Sequence, residues 1–81
     1  MTMTVGDRVR WARGRRGLTL KQLGDAADVH WVTIQKMESG TYGRPPRAGT
    51  VRLLALALNV DETWLATGAG TPGGGLPMPD E

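Results

Sequence analysis

Along this chain apolar residues recur at intervals of three and four, and no alternating apolar and polar run lasts long enough to make a strand. The pattern predicts five short helices. The first covers about residues 5 to 16, with Thr4 as its cap and Val5, Val9 and Ala12 on one face; Gly17 suits the left-handed residue that ends it. The second covers about 20 to 27 and has the best-signalled start in the chain. Thr19 with Gln22 forms a Thr-x-x-Gln capping box, in which each residue satisfies a backbone amide of the other. The third runs from about 31 to 38 and is closed by Ser39-Gly40. The fourth, about 50 to 58, is assigned Thr50 as cap and turns Val51, Leu54, Ala55 and Leu58 inward. The fifth is a short turn over about 62 to 66, capped by Asp61. The fold class is all-α: a compact five-helix domain over residues 1–67. Residues 68–81, "GAGTPGGGLPMPDE", form a disordered Gly/Pro-rich tail or linker. Those glycines match no phosphate loop, because no strand precedes them and no helix follows.

Between the second and third helices, Asp28-Val29-His30 contains neither proline nor glycine, yet the helical pattern stops and restarts. A reversal this short needs a residue that accepts positive φ, which Asp does better than most. It also needs a small residue where the helices approach, and Gly24 stands there despite costing about 1 kcal/mol relative to alanine in a helix. Val29 then plugs the angle, while Leu23, Ile34 and Met37 form its floor. This is helix-turn-helix spacing.

Composition narrows the function classes. The 81 residues suit one small domain. With no cysteine and one histidine, disulfides, thiolate metal sites and multi-histidine sites are excluded, and no cofactor is expected. No apolar run approaches the roughly 20 residues needed to span a bilayer, so a soluble cytoplasmic protein is expected. The net charge of +2 conceals segregation. All ten Lys and Arg lie between Arg8 and Arg52, against three acids there (Asp25, Asp28, Glu38), a local balance of +7. A polyanion-facing side fits this distribution, as does a merely solvated basic face. An enzyme is not expected: there is no serine nucleophile motif with a nearby base, and no paired carboxylates share a face. His30 is read as a cap substitute.

In "RVRWARGRRGLT", "VHWVTIQKMESG" and "LALALNVDETWLATG" the sequence resembles the Cro and phage-repressor (XRE-type) helix-turn-helix DNA-binding family, over about residues 5 to 70. The resemblance implies a lambda-repressor-like fold and a transcriptional regulator, phage-type and a repressor, that reads double-stranded DNA as a homodimer. Location at a bacterial or phage nucleoid follows from it. The third helix would lie in the major groove, with Trp31, Val32, Gln35 and Lys36 at the base-contacting positions. Gln35 can pair with adenine, Lys36 with guanine, and Val32 can pack on a thymine methyl. Trp31 suits thymine methyls or sugar edges, and equally a protein partner. Thr19, Ser39, Thr41, Tyr42, Arg44, Arg47 and Arg13 are the candidates for the DNA backbone. Arg13 and Glu38 match a pair that ties the first helix to the third in relatives.

Several positions depart from the family. Asp28 replaces the usual Gly, Gly24 the usual Ala, and Leu20 a frequent phosphate-contacting Gln; the loop before the fourth helix is about three residues longer. Leu53 and Leu56 stand where polar residues are usual, as does Trp11. Leu53, Leu56 and Trp64 are therefore the candidate dimer or partner surface. A second function class uses the same fold as a protein-interaction module, an antitoxin or accessory factor, with Trp11, Trp31 and Leu56 engaging a protein.

Overall fold

The computed structural model describes residues 3–79. Five helices follow one another: α1 (Val5–Arg15), α2 (Leu20–Ala27), α3 (Trp31–Ser39), α4 (Ala48–Leu58) and α5 (Glu62–Thr67), with no strand among the described residues. They enclose a single core of Val9, Ala12, Leu23, Ala27, Ile34, Met37, Val51, Leu54, Ala55, Leu58, Trp64 and Leu65.

Local chemistry sets most helix ends. Thr4 caps α1 and Asp7 completes a capping box; Thr19 and Gln22 do the same for α2, with N–H···O distances of 2.9 and 3.0 Å. Asp61 accepts the Trp64 amide at 2.8 Å and starts α5. Helix α4 departs from expectation. It begins at Ala48, two residues early, behind Arg47 with no side-chain cap bond, so Thr50 lies inside its first turn. Pro45 and Pro46 hold the preceding backbone extended, and the helix begins as soon as their restriction ends, closed by Val51 N–H to the Arg47 carbonyl at 3.1 Å.

Two arginines inside the basic stretch belong to the scaffold. Arg8 is only 6% exposed and donates to the carbonyls of Leu65 (2.8 Å), Met3 (2.6 Å) and Ala66 (3.1 Å). Arg16 donates to Leu58, Asn59 and Gly74. Each neutralises carbonyls left unpaired at a helix C-terminus, α5 for Arg8 and α4 for Arg16. The tail has no regular structure from Ala69 to Pro79. Its first part is tied to this end of the fold: Asp61 N–H donates to the Pro72 carbonyl at 2.7 Å, and Pro72 is fully buried. Asp80 and Glu81 lie outside the described residues.

Candidate nucleic-acid interface

The corner that presents α3 is a three-residue turn. Asp28 ends α2 with φ 56° and ψ 42°, the left-handed region, and its amide bonds the Gly24 carbonyl. His30 precedes α3 in extended conformation, and its Nδ1 accepts the Val32 amide at 3.2 Å, which makes it the cap. At Gly24 there is no room for a side chain. A Cβ there would lie 2.7 Å from the Val29 carbonyl oxygen and 3.2 Å from the Trp31 amide nitrogen. The glycine therefore allows the start of α3 to sit directly against α2.

With Ile34 and Met37 turned into the core, the opposite face of α3 carries Trp31, Gln35, Lys36 and Ser39, all exposed, with Val32 half-buried beside them. Trp31 is 41% exposed and stacks on His30, ring centroids 6.1 Å apart and planes 24° from parallel. At the far end of α3, Ser39 Oγ lies 2.9 Å from Thr41 Oγ1, and Arg44 lies over the Tyr42 ring at 5.5 Å. Thr19, Thr41, Arg44 and Arg47 are exposed and Tyr42 is half-buried. The loop after α3, which carries all of these but Thr19, borders two clefts of about 320 and 270 Å³, which share Val5, Pro45 and Pro46 in their walls.

Arg13 joins Glu38 through two parallel bonds, Nε to Oε2 at 2.8 Å and Nη2 to Oε1 at 2.9 Å, while Nη1 donates to the Leu18 carbonyl at 3.0 Å. The bidentate bond to Glu38 raises the Arg13 pKa above its ordinary value and outweighs the opposing effect of partial burial. Sequence reasoning missed Gly6 as a second close approach. A Cβ there would overlap the Met37 carbonyl oxygen, so α1 crosses the end of α3 at backbone distance.

One site assignment requires correction. Trp64, expected on a dimer or partner surface, is 2% exposed and belongs to the core. The short α5 turns Trp64 and Leu65 into the core, where Trp64 meets the half-buried Trp11 edge-on at 5.7 Å. Trp11 is covered in turn by the Arg15 guanidinium at 5.4 Å. Leu56, 70% exposed, and the exposed Leu53 remain on the outer face of α4.

Arg8, Arg13 and Arg16 make bonds within the fold. Setting these three aside from the ten basic residues leaves seven: Arg10, Arg15, Lys21, Lys36, Arg44, Arg47 and Arg52. Lys21, Lys36, Arg44 and Arg47 lie on α2, on α3 and in the loop after α3.

A class B acid phosphatase of Klebsiella pneumoniae (strain 342) is 32% identical to the chain over 54 residues. The match takes in 67% of this chain but 20% of that protein, so the chain spans about a fifth of the relative's length, and the phosphatase name describes the longer protein. The family model described as Helix-turn-helix matches residues 9–65, from the middle of α1 to α5, with the α2–α3 corner inside the match. The chain belongs to the XRE-type helix-turn-helix family of DNA-binding regulators.

Proposed function

We propose that this protein is a sequence-specific transcriptional regulator of the repressor type that inserts α3 into the major groove and acts as a homodimer. The observation that carries this reading is the corner at Asp28, which leaves Trp31, Gln35 and Lys36 facing solvent on one side of a helix whose other side is core. Gln35 offers an amide able to bond adenine N6 and N7, and Lys36 donates to guanine O6 and N7. Thr19, Ser39, Thr41 and Tyr42 supply hydroxyls for phosphate, and Arg44 and Arg47 supply charge on either side of the stiff Pro45-Pro46 segment. Arg13, held by Glu38, keeps enough exposure to reach a phosphate at the rim. A phage or bacterial nucleoid setting in the cytoplasm follows from the same reading.

Dimerisation is proposed through Leu53 and Leu56, large apolar side chains that the described residues leave exposed on α4. Two recognition helices about 34 Å apart would then read a pseudo-palindromic site. In sedimentation, the parent chain is expected to run as a dimer and Leu56→Glu as a folded monomer; equal sedimentation of the two would remove this surface from the reading.

The test of DNA reading is a salt titration on a duplex selected from a random pool. Affinity should fall by about 10³ or more between 50 and 200 mM salt if six or more phosphates are contacted. A flat response, or retention of a protein partner without DNA retention, would favour the protein-interaction module.

A further inference from the structure

The face offered by α3 is chemically divided. Its C-terminal half carries Gln35 and Lys36, which hydrogen-bond, whereas its first two residues, Trp31 and Val32, present no side-chain polar atom except the indole N–H. Trp31 is also not a loose surface ring. Its backbone is set against α2 by the missing Cβ of Gly24, and its indole stacks on His30, which is fixed by the bond from the Val32 amide. The result is an apolar shelf at the leading end of the helix, made of one large ring stacked on His30 and one half-buried branched side chain.

Few features of a major groove reward such a shelf. Base edges there are hydrogen-bonding groups apart from the C5-methyl of thymine, the chief apolar group on offer. Desolvated against indole and valine, each methyl should strengthen binding by about fourfold, the equivalent of burying one CH₂ group. Methylation of cytosine at C5 places the same group at the same position on the pyrimidine ring. We propose that Trp31 and Val32 form a reader of pyrimidine C5-methyl groups, so that the protein accepts 5-methylcytosine in place of thymine at the position facing the shelf and binds unmodified cytosine there more weakly. The proposal rests on the DNA-reading assignment above and adds to it the chemical class of the group read by the leading end of α3.

The experiment uses the full chain and the duplex selected from a random pool. Each thymine of a half-site is replaced in turn by deoxyuridine, which removes the methyl and leaves every hydrogen-bonding group. The cytosine and 5-methylcytosine versions of the sensitive position are then compared, both opposite guanine. Binding should weaken about fourfold at one thymine, or about fifteenfold where two adjacent methyls meet the shelf, and 5-methylcytosine should bind about fourfold tighter than cytosine. Trp31→Ala should abolish both differences while keeping the adenine preference assigned to Gln35, which a merely unfolded variant would lose. Equal binding of thymine and deoxyuridine at every position would overturn the proposal and leave the DNA-reading assignment standing. Methyl sensitivity undiminished in Trp31→Ala would overturn the assignment to the shelf. If no sequence is enriched from the pool at all, the DNA-reading assignment fails first and the methyl reader with it.

Discussion

Two connections flank α3, and they are built in opposite ways. The α2–α3 corner reverses the chain in three residues. It has a left-handed Asp28, the capping side chain of His30 at the start of α3, and no space for a Cβ at Gly24. The connection from α3 to α4 takes the residues from Gly40 to Arg47, borders two clefts, and delivers α4 without a side-chain cap. The end of α3 is nonetheless secured from the other side, by Gly6 against Met37 and by Arg13 with Glu38. A probe of another molecule has to be rigid where it meets its target, whereas an arm that follows a sugar-phosphate backbone benefits from freedom. Helix α3 is fixed by close backbone approaches and one ion pair, whereas the loop beyond it is held by proline stiffness, by Tyr42 against the core and by short-range contacts such as Ser39 with Thr41.

Substitutions should expose this asymmetry. The largest effect is expected for Glu38→Ala, which leaves a partly buried Arg13 without its carboxylate. About 2–3 kcal/mol of stability should be lost, below the range for fully buried pairs because Arg13 still meets water. In a domain of this size that is a fall in Tm of roughly 10–20 °C. The pair should not weaken through Arg13 over the usual pH range. A folded pKa above the ordinary value means the contribution is present throughout and lost only as the pH rises through that raised value.

Next comes a contrast between glycines. Gly24→Ala forces a backbone carbonyl to move and should cost about 1–2 kcal/mol in urea unfolding. Gly49→Ala, on α4 with open space around it, should instead stabilise by about 0.5–1 kcal/mol. Equal responses would mean that the corner is no tighter than the start of α4. The smallest contrast is between threonines. Thr19→Ala removes a cap and should cost about 1 kcal/mol, while Thr50→Ala, inside a helix with no cap bond to lose, should change stability by less than about 0.5 kcal/mol.

The corner was the more legible of the two connections because its determinants are local. The Thr19–Gln22 box placed α2 at its observed bounds, and Asp28 announced the turn by being the residue best able to take positive φ there. The start of α4 was misread because two local rules compete at it, proline release and a threonine cap, and the spacing does not reveal which prevails. Trp64 was misplaced for lack of periodicity, since six residues are too few to define a buried face. The duties of Arg8 and Arg16 were hidden for another reason: most of the carbonyls they hold lie more than 40 residues away in sequence. Gly6 was readable in principle. It carries the same cost inside a helix that singled out Gly24, and the same question about a close neighbour.

The outward face of α3 is the centre of this account, and it can be addressed by one comparison. Parallel selection from a random DNA pool with the parent chain and with Gln35→Ala should yield a half-site motif for both, with the variant losing its adenine preference at one position and keeping the rest. An identical motif from both proteins, or none from the parent, would contradict the assignment of α3 as the element that reads sequence.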